Sequence, residues 1–96
     1  MKAYVIAVET VHDKAMFDSY RQQVMPTIAA FGGEFVVRGG TLTVLEGEWP
    51  HVRTVIIAFP SRAAAEDWYA SPAYQAVIDL RHKSSTGSLV IVDGPA

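Results

Sequence analysis

The spacing of apolar residues changes repeatedly along this chain, and each change marks an element. "KAYVIAVET" (2–10) is β-branched and aromatic and predicts a strand. Asp13 can cap a helix in which Phe17, Tyr20, Val24, Ile28 and Phe31 recur at three- and four-residue steps, an amphipathic stripe. Pro26 falls inside that helix and should kink it, because proline lacks the amide donor, and "FGG" (31–33) ends it. "EFVVRGGTLTVLEG" (34–47) and "VRTVIIAF" (52–59) are the next strand regions, joined by "EWPH". Pro60 and Ser61 stop the strand, with Ser61 placed to cap a helix through "AAAEDWYA". Ser71-Pro72 interrupts it and starts a second segment through Tyr74, Val77, Ile78 and Arg81, before a last strand, "GSLVIVDG" (87–94).

The order is βαββαβ, with no internal repeat or linker, so residues 1–96 form a single α+β domain. Right-handed crossovers make that a ferredoxin-like fold with a four-stranded antiparallel sheet in spatial order 4-1-3-2. Two helices cover only one face of such a sheet, and an uncovered face in water should alternate polar with apolar. These strands do not alternate. Val5 and Ala7 oppose Tyr4, Ile6 and Val8; Val55, Ile57 and Phe59 oppose Ile56 and Ala58; Leu89 and Ile91 oppose Val90 and Val92. A free apolar face of that size exceeds what monomers expose, so the pattern predicts a homodimer with the sheets stacked about a two-fold axis.

Composition narrows the function. Half of the 96 residues are hydrophobic and 19% are charged, an ordinary folded balance. The net charge is −2 with the 8 Lys and Arg scattered, so no basic stripe for nucleic acid is visible. Cysteine is absent, which excludes disulfides, thiol nucleophiles and Cys-based metal sites. The N-terminal apolar run breaks at Glu9, too early for a membrane span or a signal peptide, and a cytoplasmic protein is expected. His12, His51 and His82 fall in no metal-ligand spacing, and no Walker, Rossmann or Ser-His-Asp pattern is present. Neither metal nor cofactor is expected.

Three stretches, "RGGTLTVLEGEW", "RTVIIAFPS" and "AEDWYASPAYQAVIDLR", together resemble the small bacterial proteins grouped as domain-of-unknown-function family thirteen-thirty. The joint pattern is Arg-Gly-Gly, Leu-Glu-Gly-x-Trp and Trp-Tyr-x-Ser-x-x-Tyr, and the resemblance spans nearly the whole chain. It implies membership of the dimeric α/β-barrel superfamily, whose better-known relatives include cofactor-free monooxygenases acting on aromatic substrates, muconolactone isomerases and haem-handling enzymes. Fold alone does not carry any of those activities across.

The chemistry-bearing residues divide between structural and functional readings. Gly39 and Gly40 sit on an edge strand, where a bulge would let Thr41–Glu46 bend out toward a partner subunit, although a tight hairpin is the competing geometry. That bend brings Arg38 near Phe59 and the helix carrying Trp68 and Tyr69, where it could clamp a small carboxylate. The structural alternative pairs Arg38 with a partner-chain carboxylate. Arg53 and Glu46 flank the 47–51 turn and should face each other across it. Aromatics at helical spacing are most often core, yet Tyr20, Trp68 and Tyr69 could also line a helix–sheet pocket with Arg38. Arg53 joins that ligand-binding set, and His51 is the candidate proton shuttle. The sequence therefore predicts a homodimer that binds a small anionic or aromatic metabolite, with cofactor-free oxygenase or isomerase chemistry if it is an enzyme. The alternative is a non-catalytic ligand-binding, structural or stress-related dimer.

Overall fold

The computed structural model describes residues 1–95. β1 (Ala3–Val11) leads into α1 (Lys14–Ala30), followed by β2 (Glu34–Arg38), β3 (Arg53–Phe59), α2 (Arg62–Ala70), the short α3 (Pro72–Gln75), α4 (Ile78–Ser84) and β4 (Ser85–Asp93). The four strands form one antiparallel sheet in the order β2-β3-β1-β4, as the crossover rules require.

Local chemistry sets the helix ends. The Asp13 carboxylate accepts the Met16 amide at 3.0 Å, Ser61 accepts that of Ala64 at 3.1 Å, and Ser71 that of Tyr74 at 3.2 Å. Each satisfies an amide that the first turn leaves without an intrahelical partner. α1 continues through Pro26 to Ala30. The segment after Ser71 is not one helix, because it divides at Ala76 and Val77 into α3 and α4.

The alternation read from sequence divides the sheet into two faces. Ala3, Val5, Ala7, Val55, Ile57 and Phe59 are buried against α1 and α2, where they meet Phe17, Tyr20, Val24, Ile28 and Trp68. The opposite face carries no helix. Tyr4, Ile6, Val8 and Ile56 are half-buried there, and Val90 and Val92 are exposed.

The region 34–47 departs from expectation. Only Glu34–Arg38 is strand, and residues 40–52 contain neither helix nor strand. The ladder irregularity lies between Phe35 and Val37 rather than at Gly39-Gly40. It leaves Val36 exposed and places Arg38 opposite Val55, not near Phe59. Beyond Arg38 the chain leaves the sheet with Gly39 at φ +70° and becomes an arm displaying Leu42, Val44, Leu45 and Trp49 to solvent. The arm folds back at its end. Trp49 Nε1 donates to Thr54 Oγ1 at 3.3 Å, and His51 Nδ1 shares a hydrogen bond with Thr10 Oγ1 at 2.8 Å. Thr10 and Thr54 continue the even-numbered positions of the face without helices.

Candidate ligand-binding cavity

Between α1 and the sheet lies a cavity of about 40 Å³. Its walls change character along the strands. Toward α2 it is apolar, with Val24, Ile28, Phe35, Ile57 and Trp68; toward the far end of β3 stand Arg21, Arg38, Arg53 and Arg81 with Glu9. Arg21, Met25 and Arg38, with Asp18 and Gln22, also border a wetter basin of about 260 Å³ between α1 and β2, which forms the mouth, and there Asp18 accepts Arg21 Nη1 at 3.3 Å.

Glu9 organises the charged end. It falls on the helix-side alternation of β1 and is 3% exposed, directly opposite Arg53 in the ladder. Its carboxylate accepts Arg81 Nε at 3.2 Å and lies 3.7 Å from Arg53 Nε. Arg81, from α4, spends a further donor on the Ser88 carbonyl at 3.4 Å. Glu9 and Arg81 are thus a true hydrogen-bonded pair, whereas the Arg53 approach is coulombic only, beyond hydrogen-bonding distance.

Arg53 is the least satisfied of the group. Burial lowers the proton affinity of its guanidinium, and the like charges of Arg21 and Arg38 push the same way against Glu9. Its guanidinium lies 5.3 Å from the Phe17 ring centre, a favourable cation–π contact. Among the described residues, the buried side-chain polar atoms without a hydrogen-bond partner are Arg21 Nε and Arg53 Nε, and both residues line this cavity.

Gly39 makes room for that arrangement. A Cβ built there would collide with the Arg53 guanidinium, and φ +70° is a conformation that side-chain-bearing residues rarely adopt. Gly40 meets nothing and has no such role. Arg38 crosses the mouth, with Nη2 2.8 Å from the Met25 sulfur and the guanidinium 4.4 Å over the Phe35 ring. A thioether is a weak acceptor for a charged donor.

A second buried polar group lies around Trp68, and each of its polar side chains has a partner. Trp68 Nε1 donates to Thr27 Oγ1 at 3.0 Å, and Thr27 passes its own proton to the Val24 carbonyl at 2.6 Å. The Tyr20 and Tyr74 hydroxyls meet at 3.0 Å. Burial, followed by the neighbouring Tyr74 phenol, raises the Tyr20 pKa far above the ordinary tyrosine value; burial also raises that of Tyr74. Both phenols stay protonated.

The structure brings together four of the expected site residues and separates the rest. Tyr20, Arg38, Arg53 and Trp68 line the cavity together. Tyr69 does not: it is 39% exposed on the outer side of α2, edge-on to Trp68 at 6.3 Å. His51 lies on the opposite sheet face, bonded to Thr10, with the sheet between it and the arginines. Arg53 turns inward to Glu9 instead of pairing with Glu46, which is exposed on the arm. Arg21, Glu9 and Arg81 join the lining without having been expected there. Glu9 carried a readable signal, a carboxylate continuing the buried series Ala3, Val5, Ala7.

No three or more His, Cys, Asp or Glu among the described residues converge as a metal cluster, and no described helix is long and apolar enough to cross a membrane.

Comparison with known proteins agrees with this architecture. The chain belongs to the family described as Domain of unknown function (DUF1330), which it matches over residues 2–95. No curated protein shows significant sequence similarity to it. Among solved structures it is similar to RPA0582, a protein of unknown function from Rhodopseudomonas palustris, with TM-score 0.80 and 16% identity over 99% of this chain and 83% of that one. It is also similar to a dimeric ferredoxin-like protein of unknown function from Jannaschia sp. CCS1, with TM-score 0.64 and 16% identity over 100% of both chains. A third is SnoaB, a cofactor-independent oxygenase from Streptomyces nogalater, with TM-score 0.63 and 15% identity over 99% of this chain and 94% of that one. At these identities the likeness establishes the ferredoxin-like fold.

Proposed function

We propose that the protein is a homodimer in which each subunit binds a small anionic or aromatic metabolite in the cavity between α1 and the sheet. The observation that carries this is the lining itself, in which four guanidinium groups and one carboxylate adjoin an apolar interior. Arg81 pairs with Glu9 and Arg21 Nη1 with Asp18, but Arg53 makes no hydrogen bond. A stability-driven core would pair that charge, because leaving a buried charge without its partner costs roughly 3–5 kcal/mol. The dimer is supported by the apolar face that no helix covers and by the dimeric state of the Jannaschia protein.

The site favours binding over catalysis in its present form. The Tyr20 phenol is held protonated and Glu9 is occupied by Arg81, so each is a donor or an anchor rather than a free base. Cofactor-free oxygenase or isomerase chemistry is the second reading. It is favoured by the likeness to SnoaB and by the Tyr20 hydroxyl, which could donate to an oxyanion formed on a bound ring. His51 enters this reading only through the dimer, since its own face is the one a second copy would cover.

Two measurements test the proposal. Sedimentation equilibrium should return about twice the chain mass of 10.5 kDa at micromolar concentration. Thermal shift across a library of small metabolites should give stabilising hits among anionic or aromatic compounds. A monomer, or a library in which no such compound shifts the melting temperature, would remove it. Oxygen uptake or isomerisation by a hit would decide for the second reading.

A further inference from the structure

The amphipathic layout of the cavity specifies more than a generic ligand. Its charged end and its apolar end are separated along the strand direction: Arg53 and Glu9 pair in the ladder at one end, and Phe35 pairs with Ile57 toward the other. The unpartnered donors Arg21 Nε and Arg53 Nε both belong to the charged end, approached from α1 and from β3 respectively. Both Nε atoms are buried, so neither regains a bond from bulk solvent, and an unmade bond to a charged group is expensive. Arg21 also donates Nη1 to Asp18 at 3.3 Å, a partner that leaves its Nε unbonded. Arg38 stands beside them with only the Met25 sulfur and the Phe35 ring as partners.

Resting on the ligand-binding reading above, we propose that the cavity takes a monocarboxylate with a compact apolar body. Its two oxygens are held between Arg21 and Arg53, its hydrocarbon end points toward Val24, Ile28 and Trp68, and Arg38 leaves Met25 to close over the carboxylate. Guanidinium forks match the planar, two-oxygen carboxylate. A phosphoryl group is the poorer match, since it usually draws on backbone amides at a helix N-terminus, and here Arg21 comes from the middle of α1. Glu9 is a positioning residue in this scheme. With Arg81 already bonded to it, its remaining coulombic pull aims Arg53 without capping the Nε donor. The enclosed volume of about 40 Å³ accommodates roughly three water-sized groups, so the buried part of the ligand is short, and longer ligands extend into the basin at the mouth.

Isothermal titration of the intact protein distinguishes the alternatives, using butyrate, hexanoate and benzoate, the amides of the same three acids, and inorganic phosphate. The acids should bind about tenfold or more tightly than their amides, and phosphate more weakly than the acids. Arg21→Gln alters a rim residue and should leave the fold intact while removing the preference for acid over amide. Arg53→Gln should do the same, and Arg53→Lys should restore it only in part. Arg62→Gln, on the outside of α2, should change nothing. Equal affinity for acids and amides would overturn the carboxylate clamp while leaving a small-molecule pocket in place. Tighter binding of phosphate would replace it with a phosphoryl site. Failure of every acid, with amides or other aromatic compounds still binding, would overturn the clamp alone; failure of every anionic and aromatic compound would remove the pocket reading as well.

Discussion

Two buried polar groups lie on the helix-covered side of this sheet, and they are built to opposite rules. Around Trp68 each polar side chain has a partner: the indole donates to Thr27, Thr27 to the Val24 carbonyl, and the Tyr20 and Tyr74 hydroxyls share one bond. Around Arg53, four guanidiniums meet the buried carboxylate of Glu9 and, at Arg21, the outer carboxylate of Asp18, and two Nε donors have no partner. A satisfied network strengthens in a low-dielectric interior, whereas an unsatisfied one is costly there. The difference separates residues that hold the fold from residues held by it. Trp68, read as core or as pocket lining, is core with one edge on the cavity, and Arg53, read both as a partner of Glu46 and as a ligand residue, turns from Glu46 to the cavity beside Glu9.

Substitutions should break the two groups differently. Trp68→Ala should have the largest effect, about 3–5 kcal/mol of destabilisation from the void and the lost bond to Thr27, read as a loss in urea midpoint. Glu9→Ala should come next at about 3 kcal/mol, because it strands the buried Arg81 and loosens Arg53. It should also weaken carboxylate binding, which Trp68→Phe should largely spare. Gly39→Ala should cost about 1–3 kcal/mol through its positive φ. Its added methyl must displace the Arg53 guanidinium, so affinity should fall beyond what the stability loss explains.

Smaller effects sharpen the contrast. Tyr20→Phe should cost about 1 kcal/mol. The folded-state pKa values of Tyr20 and Tyr74 are raised above the ordinary value of 10.0. Their contribution is therefore whole below that pH and is lost as pH rises through and beyond it, while unfolded tyrosines ionise. Chemical denaturation between pH 8 and pH 11 (approximate limits chosen around that value) should show the decline, and Tyr20→Phe should flatten it. Arg38→Gln should be nearly silent in stability, within about 0.5 kcal/mol, because its partners are a thioether and a ring face. Its effect should appear in ligand affinity alone.

Much of the fold could be read from periodicity, because strand alternation, the α1 stripe and the capping residues Asp13, Ser61 and Ser71 all act locally. The sheet order came from handedness. What escaped the sequence depended on register and side-chain direction. The irregularity at Val36 inverts the faces of β2, so that Arg38 joins Phe35 on the helix side, and no composition signal separates that from a break at the Gly-Gly pair. His51 and Arg53 are two residues apart, yet they serve opposite faces, since the arm folds onto Thr10 whereas β3 turns Arg53 toward Glu9. Tyr69 adjoins Trp68 in sequence, and the helical step of about 100° per residue carries it outward. Arg81 looks like an ordinary solvated helix charge until the tertiary fold brings it to Glu9, and Arg21, paired with Asp18 on its own helix, shows no sign in sequence that it also borders the cavity.

The most direct test of the division between the two groups is nitrogen-15 NMR of the arginine Nε–Hε and tryptophan indole resonances during a titration with hexanoate. The Arg21 and Arg53 Hε signals should move downfield and saturate together as their open donors acquire an oxygen, with the Trp49 indole on the other face unchanged. Saturating shifts at Trp49 and His51, with Arg21 and Arg53 still, would place the ligand on the uncovered face of the sheet and contradict the assignment.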